Sequence, residues 1–304
     1  MKDIPMYDSF NKIIEINKGF SDDKKYCVET LNGDKLFLKI SDISEFKQKK
    51  IEFDRLNEVA VLPISMTLPI DFGKCNNGNY VYTLTTWCEG SEACEVLPHL
   101  SEEEQYDLGI QAGEILSKIH TIIPTNIEGD WATRYFAVID DRIEAFKYEG
   151  EKFEGCEYIL NYIEDNKCFL KDRPQSIHHG DYHLGNMLIS DDKKLSIIDW
   201  QTVDFDNYGD PWCEFNRIGT HTLYSAFSSG MIDGYFSGNP PREFWILLAY
   251  YLSVSAITSV VWAKYFAPDE LDNILELNYN VLSWFDDMKN PIPIWYKNGS
   301  EYNG

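Results

Sequence analysis

The sequence predicts an α+β fold in two lobes, a small one built on an antiparallel sheet and a large, mostly helical one. Three observations carry this. The first 90 of the 304 residues read as short strands broken by tight turns. From Ser101 the apolar spacing becomes helical and stays so for most of the remaining chain. No internal repeat, low-complexity tract or linker intervenes, so the change of character marks one junction within a chain long enough to bury a full core.

Each element has its own signal. Lys24 to Thr30 and Lys35 to Ile40 flank Leu31-Asn32-Gly33-Asp34, and Asn-Gly is a strong hairpin turn because both residues tolerate positive φ. From Ser41 the register turns helical, with Ile43, Phe46, Ile51, Phe53 and Leu56 among Lys and Glu, ending near Asn57 to Ala60. After Pro63 and Pro69 comes a second strand pair, turning at Cys75-Asn76-Asn77-Gly78-Asn79 and running on through Tyr80 to Trp87. Ser101-Glu102-Glu103-Glu104 has the form of a capping box, and Leu108, Ala112, Ile115, Leu116 and Ile119 follow at helical spacing. Glu157 to Asn166, Pro241 to Tyr265 and Asp269 to Lys289 are further helices. The polar tail Lys297 to Gly304 reads as frayed.

Composition excludes several functions. The chain carries 50 acidic against 27 basic side chains, a formal charge of −23, so it lacks the clustered Lys and Arg that phosphate backbones require; no nucleic-acid partner is expected. Such a surface favours cationic partners or simply maintains solubility. Seven cysteines form no C-x-x-C pair, which argues against a disulfide framework and a structural zinc site and fits a cytoplasmic location. The N-terminal MKDIPMYDSF has no apolar core of a signal peptide. Residues 244–263 carry no charge and are long enough to span a bilayer. Their serines, paired tyrosines and lack of flanking basic clusters read instead as a buried core helix, with no membrane partner.

The chemistry concentrates in Ser176 to Trp200, SIHHGDYHLGNMLISDDKKLSIIDW. Asp181 stands on a tight loop after His179-Gly180, Asn186 follows five residues later, and an apolar strand ends in Asp199. A loop Asp can orient a hydroxyl and accept its proton. An Asn curling back and a second Asp at a strand end can hold a divalent cation on nucleotide phosphates. Phosphoryl transfer needs little more than positioning and charge neutralisation.

This run resembles the protein-kinase catalytic loop H-R-D-x-x-x-x-N and its following D-F-G. Here Gly180 stands for the Arg, and Asp199-Trp200-Gln201 for D-F-G. With the HGDYHLGN wording, these departures resemble the aminoglycoside phosphotransferase family of small-molecule kinases, which have a bilobal protein-kinase-like fold. The resemblance runs in order from Gly19 to the C-terminal helices and is strongest between 178 and 211. It implies a nucleotide-binding lobe over 1–88 and a helical catalytic and acceptor-binding lobe over 89–304. It further implies phosphate contacts from Gly19-Phe20-Ser21, a phosphate-neutralising Lys39 oriented by Glu52, and adenine contacts from the backbone of Thr86 and Cys88. Asn186 and Asp199 would bind Mg2+, and Asp181 would be the catalytic carboxylate. Glu58 and Glu45 compete with Glu52 as the partner of Lys39. Gly209-Asp210-Pro211 resembles the family's G-D-P element, with Asp210 in a structural role.

The implied activity is transfer of the γ-phosphate of ATP, or GTP, to a hydroxyl of a small molecule. The leading acceptor is an aminoglycoside or related cationic antibiotic; choline-, homoserine- or methylthioribose-like metabolites and macrolides are the alternatives. Asp204, Asp206 and Glu214 either face that acceptor or lie in a solvated loop. Three other functions compete. His178, His179, Asp181 and His183 could ligate a hydrolase's metal, which leaves Asn186, Asp199 and Lys39 without a role. A nucleotide-binding pseudokinase would be expected to lack one of Lys39, Asp181, Asn186 and Asp199, and all four are present. A protein kinase would be expected to show a Gly-rich loop and an A-P-E segment, and neither is found.

Overall fold

The computed structural model describes residues 1–17, 23–200, 208–220 and 222–302. Strands β1 (Phe10–Ile16), β2 (Lys24–Thr30) and β3 (Lys35–Asp42) precede helix α1 (Phe46–Val59), and β4 (Pro69–Cys75) and β5 (Tyr80–Thr86) follow it. These strands form one antiparallel sheet in the order β1-β2-β3-β5-β4. Alternation decides which face is buried: Tyr26 and Val28 of β2, with Leu36, Leu38 and Ile40 of β3, join Tyr82, Leu84, Cys75 and Ile4 in one apolar cluster. Full burial of each such aliphatic side chain contributes about 1.5–3 kcal/mol.

The next elements are β6 (Ser91–Glu92), α2 (Ala93–Val96), α3 (Glu102–Ile119), α4 (Trp131–Glu149), α5 (Cys156–Asn166) and β7 (Ser176–Ile177). They are followed by β8 (Met187–Ile189), β9 (Leu195–Ile197), β10 (Tyr208–Gly209), α6 (Ser225–Phe236), α7 (Arg242–Phe266) and α8 (Leu271–Trp284). The capping box of α3 forms as the sequence predicts: Glu104 N–H donates to Ser101 Oγ at 3.3 Å, and Ser101 N–H to the Glu104 carboxylate at 2.9 Å. α7 is apolar and long enough to cross a bilayer, but most of it is buried inside the protein.

α3 and α6 pack backbone to backbone. A Cβ at Gly109 would lie 2.1 Å from the Phe227 carbonyl oxygen, and one at Gly230 the same distance from that of Tyr106. Gly113 and Gly234 repeat this contact one turn along, so glycines at four-residue spacing on both helices are a packing requirement.

The chain divides into two units, residues 1–92 with 186–202, and residues 93–185 with 203–304. The sequence places the division after residue 88; the structure places it after Glu92 and assigns 186–202 to the first unit. The reason is hydrogen bonding. β6 pairs Ser91 with Ile189, Thr67 N–H donates to the Ile197 carbonyl at 3.2 Å, and Ile197 N–H donates to that of Ser65 at 3.0 Å.

Three further differences have physical causes. Ser41 and Asp42 continue β3 instead of opening the helix, and the Asp42 carboxylate accepts Ser44 N–H to start the turn into α1. The last helix ends at Trp284, short of the expected Lys289, and Asp286, Asp287 and Met288 take positive φ. The tail, expected to fray, docks through Tyr302: its ring stacks on Tyr106 with centroids 4.8 Å apart, and the Tyr296 hydroxyl donates to buried Asp233 at 2.7 Å.

Candidate active site

In the first unit, the hairpin β8–β9 pairs Met187 with Ile197. It therefore brings Asn186, just before β8, and Asp199, just after β9, to the same end. Ile198 N–H donates to the Asn186 carbonyl at 3.0 Å, which ties the two segments together. Asp199 has φ +59°, a left-handed conformation that costs a non-glycine residue free energy and persists only where its surroundings enforce it. Lys39, on the face of β3 away from the apolar cluster, reaches Asp199: its Nζ lies 2.8 Å from Asp199 Oδ1, closing a sequence separation of 160 residues.

Glu52 stands elsewhere. Its carboxylate is 3.6 Å from Nζ of Lys49, three residues earlier on α1, and accepts from Gln48 Nε2 at 3.3 Å. Lys49 is buried and also meets Asp23 at 3.2 Å and Glu45 at 3.5 Å. Lys39 thus pairs with Asp199, while Glu52 lies beside Lys49. A lysine three residues away on the same helix captures Glu52 because i,i+3 side chains are neighbours. Burial raises the Asp23 pKa, but the Ser41 hydrogen bond and the Lys49 and Lys39 charges outweigh it and hold the carboxyl below its ordinary value.

Thr86 closes β5. Its carbonyl accepts the Thr67 hydroxyl at 3.0 Å, and its own hydroxyl accepts Leu68 N–H at 2.8 Å. Cys88 is half-buried, and burial pushes its thiol up to about 11. Gly19, Phe20 and Ser21 lie outside the described residues, as do Asp204 and Asp206.

In the second unit, Asp181 follows Gly180, whose φ of +92° suits glycine and no bulkier residue. The Asp181 carboxylate meets His183 Nε2 at 3.1 Å and Arg217 Nε at 3.4 Å. Burial raises its pKa, yet the His183 hydrogen bond and the Arg217 charge prevail, so the group lies below the usual carboxylate range.

The loop is held from beneath by Glu214, which is buried, neither solvated nor facing an acceptor. Its Oε2 accepts His179 N–H at 2.9 Å and its Oε1 accepts Gly180 N–H at 2.8 Å. His120 Nε2 lies 2.9 Å from the same carboxylate, and His120 Nδ1 lies 2.9 Å from the Tyr235 hydroxyl. Burial opposes ionisation of Glu214, but the His120 hydrogen bond and the surrounding histidines bring its pKa to about 2. Its one sequence signal is a lone carboxylate inside the apolar run Trp212-Cys213-Glu214-Phe215.

Asp210 is buried in the structural role expected of it. Arg173 grips it with two bonds of 2.8 and 2.9 Å, Tyr251 donates at 2.7 Å, and the Asp210 carbonyl accepts from His178 Nε2 at 3.0 Å. β7 and β10 pair Ser176 with Gly209, which sets this element beside the start of the loop. Tyr182 fastens the loop's other side, donating to the Ala112 carbonyl of α3 at 2.7 Å. The histidines are therefore committed separately: His178 to Asp210, His179 Nδ1 to Asp181 N–H, and His183 to the Asp181 carboxylate. Among the described residues no group of three or more His, Cys, Asp or Glu could hold a metal ion.

Comparison with known proteins agrees in fold. The profile of the phosphotransferase enzyme family matches residues 12–245. No curated protein matches the chain. Among solved structures, a ternary complex of a thermostable mutant of aminoglycoside phosphotransferase APH(4)-Ia with AMP-PNP and hygromycin B aligns with TM-score 0.63 at 13% identity, covering 91% of this chain and 95% of that one. Amicoumacin kinase hAmiN, in complex with AMP-PNP, Ca2+ and Ami, aligns with TM-score 0.61 at 12% identity over 94% and 90%. Macrolide 2'-phosphotransferase MphH from Brachybacterium faecium aligns with TM-score 0.60 at 14% identity over 89% and 92%. At such identities the likeness to each structure is one of fold.

Proposed function

The chain belongs to the phosphotransferase enzyme family and is a small-molecule kinase; from that premise we propose that it transfers the γ-phosphate of ATP, or GTP, to a hydroxyl of an aminoglycoside or related cationic antibiotic. The observation that carries this reading is the 2.8 Å pair of Lys39 with Asp199, at the end of the hairpin that also bears Asn186. One amide and one carboxylate are hard oxygen donors, the chemistry that suits Mg2+. Mg2+ held by Asn186 and Asp199 would neutralise charge on the nucleotide phosphates.

The chain's own residues divide the remaining work. Lys39 exchanges the Asp199 carboxylate for phosphate oxygens when nucleotide binds. Asp181, kept ionised by His183 and Arg217, orients the acceptor hydroxyl and takes its proton. Its low basicity is no obstacle, because a loose transition state asks little activation of the nucleophile. Glu214 fixes the two amides preceding Asp181, so the carboxylate is positioned before substrate arrives.

For the acceptor, the charge of −23 supports a cationic compound. Solved structures of similar fold include proteins described as aminoglycoside, macrolide and amicoumacin kinases, so macrolides and small hydroxyl metabolites belong in the same assay. Seven cysteines outside any disulfide fit a cytoplasmic enzyme.

The test is nucleotide consumption by purified protein with Mg2+ across aminoglycosides, macrolides and small hydroxyl metabolites, with Asp181→Ala as control. Turnover that depends on an aminoglycoside and disappears in the variant supports the proposal. Turnover on a macrolide or metabolite alone replaces the acceptor, and nucleotide binding without any turnover favours a pseudokinase.

A further inference from the structure

In the antiparallel pair β2–β3, Lys25 stands directly opposite Lys39. Their neighbours Tyr26, Val28, Leu38 and Ile40 point into the apolar cluster, so by strand alternation both lysines lie on the opposite face of the sheet. Directly opposed residues have Cβ atoms roughly 5 Å apart, and like charges so placed destabilise a sheet. Here the pair is also partly withdrawn from water: burial first, and then the Lys39 charge, lower the Lys25 pKa, while Asp199 and Asp23 act to raise it. The fold thus keeps two directly paired lysines on the face where Lys39 meets Asp199. An anion spanning both would offset their repulsion with charge-assisted hydrogen bonds.

We propose that Lys25 is a second phosphate-binding lysine, which takes oxygens of the nucleoside triphosphate beside those taken by Lys39. The assignment rests on the phosphotransferase reading and deepens it: the triphosphate is gripped by a cross-strand lysine pair. Lys25 then adds affinity for the phosphates but none for the nucleoside.

Calorimetric titration of the full chain with Mg·ATP and with adenosine, for wild type, Lys25→Met and Lys25→Arg, separates the outcomes. Lys25→Met is expected to weaken Mg·ATP by roughly 10-fold, the size of one hydrogen bond between charged groups, and to leave adenosine within about 2-fold. Lys25→Arg should retain most of the Mg·ATP affinity. Without nucleotide, Lys25→Met should remain folded, because methionine keeps the unbranched apolar stem of the lysine. Unchanged Mg·ATP affinity in Lys25→Met, equal losses for Mg·ATP and adenosine, or a Lys25→Met chain that fails to fold would each overturn the assignment. A wild-type protein that binds neither ATP nor GTP would overturn the phosphotransferase reading along with it.

Discussion

His120 Nε2 and Glu214 Oε2 lie 2.9 Å apart in the interior of the second unit, both side chains almost sealed from solvent. Glu214 also accepts the two amides that lead into Asp181, so one buried charge supports the whole loop.

This charge makes stability depend on pH. The folded pKa of Glu214, about 2, lies below its ordinary value of 4.5. Its contribution is therefore fully present above pH 4.5 and is lost as pH falls from there toward 2. Glu214→Gln turns an –NH2 toward a backbone amide and leaves a buried donor without a partner, costing about 1–3 kcal/mol near neutral pH. Thermal unfolding across pH should show a lower Tm for the variant and a shallower acid slope. Identical slopes would mean that Glu214 is not the group responsible.

Asp181→Asn keeps shape and removes the base. Turnover should fall roughly 10²-fold or more, the usual scale of general-base terms, while nucleotide still binds. Arg217→Met should move the acid limb of the kcat/KM profile to higher pH, because Arg217 is one of the groups that depress the Asp181 pKa. An acid limb that stays in place would remove Arg217 from the proton-accepting arrangement.

Asp199→Asn tests the metal assignment without disturbing the backbone, since Asn tolerates left-handed φ as well as Asp does. Folding should be preserved and Mg2+-dependent turnover abolished. Activity at ordinary Mg2+ concentrations in this variant would contradict the role given to Asp199.

Gly113→Ala probes the α3–α6 contact. Its Cβ would meet the Met231 carbonyl oxygen at 2.1 Å, so the helices must separate. Overpacking of this kind costs about 1–3 kcal/mol, and more where only backbone can yield. Denaturant unfolding should register that loss; a midpoint equal to wild type would show that the helices part freely.

Much of this was legible in the residues. Asn32-Gly33, the Ser101 capping box and the apolar strand before Asp199 are local signals, and each is found where the sequence puts it. What escaped depends on distant partners. α6, SAFSSGMIDGYF, is rich in Ser and Gly and weak in helix propensity; packing against α3 accounts for its helicity. β1 is an edge strand whose polar residues hide its alternation. Glu52 followed its neighbour Lys49 because a contact within one helix competes with a contact to the sheet, and a single sequence does not rank the two. Tyr302 looked like part of a polar tail until its ring met Tyr106.

The chain's division has a consequence for the order of synthesis. The first 92 residues leave the ribosome well before β8 and β9, the strands that complete their unit. Until Ile197 emerges, the amide of Thr67 and the carbonyl of Ser65 lack the backbone partners they have in the finished protein. The segment 65–67 must therefore wait for about 100 further residues, roughly 5–20 s at ordinary elongation rates, before its pairing can form. A fragment ending at Glu92 would never leave that condition.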